Sequence, residues 1–193
     1  MDGLFDSSMG IEPFSITGPL KATASPDAAL VAAAQAGDRE AFGRLYERFG
    51  PMVHGVLLAR VPYVEVDDLV QDVFLAAFQR LPTLRSPSAF GSWLAAIARN
   101  RAVDYHRRPS VEQITTDVPD AGVRPETDAL AVLAVIQSLP SAYRETLVLR
   151  LVEGMTGNEI SHRTGLTPAS VRVNLHRGMK HLREALELKR GRP

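Results

Sequence analysis

The chain has 193 residues, 45% of them hydrophobic, with 22 basic and 22 acidic side chains and no cysteine. This apolar content excludes disorder along the whole length, and the missing cysteines exclude disulfides and thiolate metal sites. No apolar run approaches the roughly 18 residues that cross a bilayer, and the opening MDGLFDSSMGIEPF lacks the basic start and apolar stretch of a signal peptide. No membrane insertion is expected, and the cytoplasm is the expected compartment. Zero net charge hides a pattern: residues 1–36 carry −3, 37–108 carry +2, 109–128 carry −4 and 129–193 carry +5. Basic modules separated by acidic connectors suit contact with DNA at two places, and they suit ordinary solvated surfaces too.

Residues 1–26 mix Gly, Pro, Ser and Thr with few periodic apolar positions and read as a mobile extension. A helix is predicted from Pro26–Asp27 to near Gly37, on a good cap and a run of strong helix formers. The next stretch places Phe42, Leu45, Tyr46, Phe49, Val53 and Val56 at helical spacing, with a break expected at Gly50–Pro51. Leu69, Val70, Val73, Phe74, Ala77 and Phe78 continue the pattern, followed by Phe90, Trp93, Leu94, Ile97 and Ala98. Phe90, Trp93 and Ile97 share one stripe, so Trp93 reads as core rather than as a base-stacking platform. Residues 109–128 break the rhythm with prolines, a glycine and acids and read as a flexible acidic linker. Everything after it is helical again. The fold class is therefore all-α, with two small helical domains, 27–108 and 129–193.

Within the second domain, GNEISHRTGLTPASVRVNLHRG contains a glycine between two short amphipathic runs. A helix-turn-helix needs a residue tolerant of positive φ at its turn and a small side chain at the helix crossing. Gly165 and Ser161 answer to these, Ile160, Val171 and Leu175 face inward, and Leu166 plugs the turn. Thr167 suits the N-cap and Pro168 the first helical position. Thr167, Ala169, Ser170, Arg172, Val173, Asn174, His176, Arg177 and Lys180 are then left outside, with groups able to reach bases and phosphates.

With both domains in view, the sequence resembles the extracytoplasmic-function (ECF) RNA polymerase sigma factors of the sigma-70 superfamily. The resemblance runs from Ala33 to Leu188 in four ordered segments. AQAGDREAFGRLYERFGPMVHGV looks like the opening helices of sigma region 2. DDLVQDVFLAAFQRL is similar to the acidic-apolar helix that binds the polymerase clamp, which implies contacts from Asp68, Leu69, Gln71, Asp72 and Phe74. Leu69 and Phe74 are expected to be exposed there. FGSWLAAIARNRAVDYHRR resembles the element that opens and reads the −10 promoter, preceded by the loop Leu84–Ser88 that captures a flipped base. The residues implied are Arg85, Ser86, Ser88, Arg99, Asn100, Arg101, Tyr105, Arg107 and Arg108. SLPSAYRETLVLRLVEGMTGNEISHRTGLTPASVRVNLHRGMKHLREAL looks like region 4, whose helix-turn-helix reads the −35 element.

The resemblance implies a sigma factor that binds core RNA polymerase and promoter DNA and is held by a cognate anti-sigma factor. It carries no cofactor and no catalytic activity of its own. Two departures stand out. Val173 and Asn174 alter the base-reading surface, and Pro109 interrupts the basic run after Arg108. The alternative from the residues alone is a helix-turn-helix regulator with an N-terminal sensing or dimerisation domain. An enzyme has little support: the histidines form no HExxH spacing, and there is no phosphate-binding glycine loop.

Overall fold

The computed structural model describes residues 26–107 and 125–190, which form eight α-helices with no strand among them. The expected extension, Arg108 and most of the expected linker lie outside the described residues. The first four helices are α1 Pro26–Gln35, α2 Arg39–Leu58, α3 Val66–Arg80 and α4 Phe90–Arg107. The second four are α5 Pro125–Ser138, α6 Ser141–Leu151, α7 Gly157–Thr164 and α8 Pro168–Arg190. Helix α5 thus starts inside the stretch expected to be linker, with proline at the first helical position, where its missing N–H costs nothing.

Helix α2 is the axis of the first bundle and touches α1, α3 and α4, while α3 also packs on α4. The Asp38 carboxylate starts it, accepting from the N–H groups of Glu40 (2.9 Å) and Ala41 (3.0 Å). Ala41, Leu45, Phe49, Met52, Val53 and Val56 then bury an inward stripe at helical spacing. The expected break at Gly50–Pro51 does not occur, because Pro51 lies inside a continuous helix. Its ring is on the exposed face, where water can satisfy the carbonyl it leaves free, and fully buried Met52 and Val53 hold the backbone beyond it. Phe49 meets Phe90 edge to face at 5.1 Å, tying α2 to α4. Trp93 is half-buried against the same core, as its stripe predicts.

In the second bundle α6 touches α5, α7 and α8, and α7 packs on α8. Gly178 lets α8 approach α6 closely: a Cβ there would sit 3.1 Å from the Leu147 side chain.

The two bundles share one continuous core, which nothing in the sequence foretold. Helix α2 packs on α6 and α7, and α4 packs on α7. Gln137 of α5 donates to the carbonyls of Leu58 (2.7 Å) and Val61 (3.1 Å), satisfying acceptors at the open end of α2. Arg163 of α7 donates to the Arg48 carbonyl at 2.7 Å. The Glu145 carboxylate of α6 is buried between Arg60 (2.5 Å) and Arg99 (2.7 and 3.1 Å) of the first bundle.

Leu94 on α4 is fully buried. Leu94→Ala is expected to cost about 2–5 kcal/mol in chemical denaturation, from lost transfer energy plus the cavity left behind. A loss below about 1 kcal/mol would mean that α4 is not packed as described.

Candidate nucleic-acid interface

The helix-turn-helix is built by local capping. Thr156 and Glu159 form a reciprocal capping box at the start of α7: the Thr156 hydroxyl accepts from the Glu159 N–H (3.2 Å), and the Glu159 carboxylate accepts from the Thr156 N–H (2.8 Å). That backbone hydrogen bond, helped by the Thr156 hydroxyl, holds the Glu159 carboxyl below its ordinary 4.5. Gly165 closes α7 at φ +77°, a left-handed conformation that glycine adopts freely. Ser161 does more than fit the crossing, because its hydroxyl donates to the Leu166 carbonyl at 2.7 Å and fixes the turn. Thr167 accepts from the Ser170 N–H at 3.1 Å, and Pro168 opens α8.

On α8, Val171, Gly178 and Leu182 are buried and Leu175 is half-buried. Thr167, Ala169, Ser170, Arg172, Val173, His176, Arg177 and Lys180 are exposed, while Asn174 is half-buried. Ala169, Arg172, Val173, His176 and Lys180 recur at spacings of three and four, so they form one outward stripe. Further along, Leu175, His176, Met179, Lys180 and Arg183 line a shallow groove with a cationic rim.

In the first bundle, α3 presents Asp68, Gln71, Leu75 and Phe78 to solvent in one line, with Asp72 at its margin. Leu75 is 58% exposed and Phe78 47%, beside a 41% exposed Tyr46. An aromatic cluster supports the line: Phe42 meets Phe78 edge to face at 5.0 Å, and Tyr46 lies 4.4 Å from Phe74. Between α3 and α4, Arg80, Asn100, Arg101 and Asp104 surround a small cleft floored by Ala76 and Ile97. The segment between these helices is short 3-10 turns, Leu81–Thr83 and Pro87–Ala89, with Arg85, Ser86 and Ser88 exposed. Gln35 of α1 anchors it, donating to the carbonyls of Leu81 (3.0 Å) and Leu84 (2.8 Å).

Comparison with known proteins gives this geometry a context. Residues 45–110 match Sigma-70 region 2, and residues 129–182 match Sigma-70, region 4. The chain is 33% identical over 175 residues to the ECF RNA polymerase sigma factor SigD of Mycobacterium tuberculosis, covering 82% of each chain. It is 32% identical over 182 residues to the ECF RNA polymerase sigma-E factor of Escherichia coli, covering 84% of this chain and 93% of that one. The chain belongs to the ECF sigma factors. Among solved structures, CnrH in complex with the cytosolic domain of CnrY aligns with a TM-score of 0.61 at 28% identity, over 84% of this chain and 97% of that one. RpoE of Bartonella quintana, solved with the anti-sigma factor NepR, shares the fold with a TM-score of 0.52 at 18% identity, over 76% of this chain and 96% of that one. This sigma factor is therefore a non-enzymatic initiation factor, and the region 2 match displaces the reading of its first domain as a sensor. Among the described residues no helix is long and apolar enough to cross a membrane.

The structure corrects the expected exposure of two α3 residues of the sigma factor. Leu69 and Phe74 are buried, at 6% and 3% exposure, because α3 turns them onto α2 and α4. Leu75 and Phe78 take the exposed places. The sequence held the signal, since they continue the helical spacing of Asp68 and Gln71. Asn100 and Arg101 converge on the α3–α4 cleft with Arg80, which sequence reasoning missed, and Arg107 lies exposed at the end of α4. Tyr105 is half-buried against the core. Arg99 points the other way and is bound to Glu145. Burial pushes the Glu145 carboxyl up, but the Arg99 hydrogen bond and both guanidinium charges outweigh it and hold the group below 4.5.

A second pair crosses the same boundary: His54 Nδ1 lies 2.6 Å from Glu153 Oε1. The Glu153 hydrogen bond raises the His54 pKa above 6.5 against partial burial, with further help from the charges of Glu153 and Asp67. The raised value means that the pair stabilises the folded chain fully below the free histidine range and loses that contribution as pH climbs through the raised pKa. The stability difference between wild type and His54→Gln, measured by denaturation, is expected to be largest near about pH 6 and to shrink toward about pH 9. A difference that stays constant over that range would refute a protonated His54 in the pair.

Proposed function

We propose that this sigma factor docks on core RNA polymerase through α3, engages the −10 element with α4 and its preceding loop, and reads the −35 element with the start of α8. The first module, 27–108, carries the first two tasks, and the second, 129–193, carries the third. The observation that carries the reading is the outer line of α3. Two large apolar side chains, Leu75 and Phe78, stay exposed on one helix face beside Asp68, Gln71 and Asp72. A mixed acidic and apolar helix face of this kind suits docking onto a partner helix.

The −10 surface combines Asn100, Arg101, Tyr105 and Arg107 with Arg80 and the exposed loop residues Arg85, Ser86 and Ser88. Cationic groups beside a cleft stabilise a separated strand. On α8, Arg172, Arg177 and Lys180 supply phosphate and base contacts, Ala169 and Val173 supply apolar ones, and Thr167, Ser170, Asn174 and His176 add hydrogen-bonding capacity. CnrH, 28% identical, was solved bound to the cytosolic domain of CnrY. This supports assigning the chain a cognate anti-sigma factor and a place in the cytoplasm.

The test is a titration of fluorescently labelled protein with purified core polymerase, followed by anisotropy. Saturable nanomolar binding is expected. The double substitution Leu75→Ala with Phe78→Ala should weaken it several-fold or more while circular dichroism stays helical. Unchanged affinity would remove α3 from the docking face, and no binding by folded wild type would overturn the reading as a whole.

For the recognition helix, Arg172→Ala should reduce discrimination at one or two −35 positions by about 1–3 kcal/mol in promoter competition. An equal loss on every promoter, with a shallower salt dependence, would make Arg172 a phosphate contact instead.

A further inference from the structure

We infer that Val173 is a specificity-determining residue of the −35 interface, and that the base it selects is a thymine, taken by its C5 methyl group. The inference deepens the proposed reading of the −35 element by α8 and rests on it.

Val173 is the odd member of its surface. It is 41% exposed and takes no part in the hydrophobic core, unlike Leu175, which packs against that core from the same helix. Buried Leu182 lies about two and a half helical turns further on, so Val173 stands on the side opposite the core. The local backbone gives no reason for the choice, because a β-branched residue forms helix less readily than alanine, lysine or arginine. A side chain that neither packs nor favours its helix is explained by what it meets outside.

Its neighbours identify that contact. Ala169 lies one turn earlier on the same stripe, so its small side chain and the valine methyls make one apolar spot. Arg172, His176, Arg177 and Lys180 surround the spot, all of them exposed. Among the described residues, Arg172, His176 and Arg177 have no hydrogen bond or ion pair that would occupy them. A protein partner does not suit this surface. One exposed valine and one alanine fall far short of the roughly 800 Å² per side that a stable interface buries. A duplex does suit it, because cations at the rim hold phosphates while the middle of the helix face enters the major groove. The apolar group that the major groove presents there is the thymine methyl.

The spot also works against the nearest rival. Cytosine is a pyrimidine without the methyl, and its N4 amino group would lose water against Val173 and gain no partner. Discrimination against cytosine therefore exceeds what the methyl alone supplies.

The test uses holoenzyme reconstituted from the full chain and core polymerase, first to select its −35 sequence from randomised duplexes. The tightest duplex is then rebuilt with deoxyuridine in place of each −35 thymine in turn, which removes only a methyl. One of these substitutions should weaken binding by about four-fold. Val173→Ala should erase that difference, and because alanine favours helix the variant keeps its fold by circular dichroism. Cytosine at the same position should weaken wild-type binding by about ten-fold or more. There, 5-methylcytosine should recover part of the loss for the wild type and none for Val173→Ala. A selected −35 element without thymine, deoxyuridine without effect at every position, or an effect that persists in Val173→Ala would each overturn the role of Val173 and leave the reading by α8 intact. Selection that shows no −35 preference would overturn that reading, and this inference with it.

Discussion

A carboxylate taken out of water needs cations within reach, and at Glu145 that need organises the whole molecule. Burial alone would push the group toward its neutral form, yet it stays ionised because Arg60 and Arg99 both donate to it. The acid lies on α6 and the cations just past the end of α2 and on α4, so meeting the charge fixes one bundle against the other. His54 with Glu153 and Gln137 with the end of α2 follow from that placement. So does the seating of the helix-turn-helix, whose turn glycine lies directly against Ser92.

The arrangement divides the arginines into two classes. Arg60, Arg99, Arg144 and Arg163 are tied to internal acceptors: the Glu145 carboxylate for the first two, backbone carbonyls for the others. Arg101 is half-exposed, and Arg107, Arg172, Arg177 and Lys180 are exposed, lying on the faces assigned here to promoter DNA. A chain with zero net charge can therefore present local positive surfaces, because its acids are not spread evenly. Glu145 and Glu153 neutralise the inner boundary, Asp68 and Asp72 colour α3, and little opposes the cations at the start of α8. Long-range attraction of a polyanion depends on such local patches rather than on the net total.

Much of this was legible in the chain itself, and the misses share a cause. The helix-turn-helix could be read because its determinants are local: a capping residue, a proline at the first helical position, a glycine at positive φ and an inward stripe all lie within one short segment. Helix α3 was half-legible. Its period was plain, but periodicity gives the angle between residues and not which side faces the bundle, so Leu69 and Phe74 were placed outside in error. At Pro51 a local breaker lost to tertiary burial on both flanks. The ion pair of Arg99 could not be read from the sequence, since its partner lies 46 residues away and no local pattern announces it. Ser161 looked like a mere small side chain until the Leu166 carbonyl came within its reach.

The glycines of the boundary carry the same lesson in reverse. Within a helix glycine is less stable than alanine by about 0.5–1 kcal/mol, because it has more backbone freedom to lose. Gly43 and Gly50 lie in α2 with open space where a Cβ would go, so their surroundings give no reason for them. Gly55 and Gly91 differ, because each faces atoms of the opposite bundle at distances no Cβ tolerates. Nothing within the first bundle demands glycine at 55, since the near atoms there all belong to Leu149 and Glu153. At 91 the tightest neighbour is again foreign, the Arg163 carbonyl, although Phe49 also crowds the site. If the bundles never met, alanine would serve better at Gly55 and no worse than slightly crowded at Gly91. The residue choice at these two positions is therefore explained by the packing of one bundle on the other.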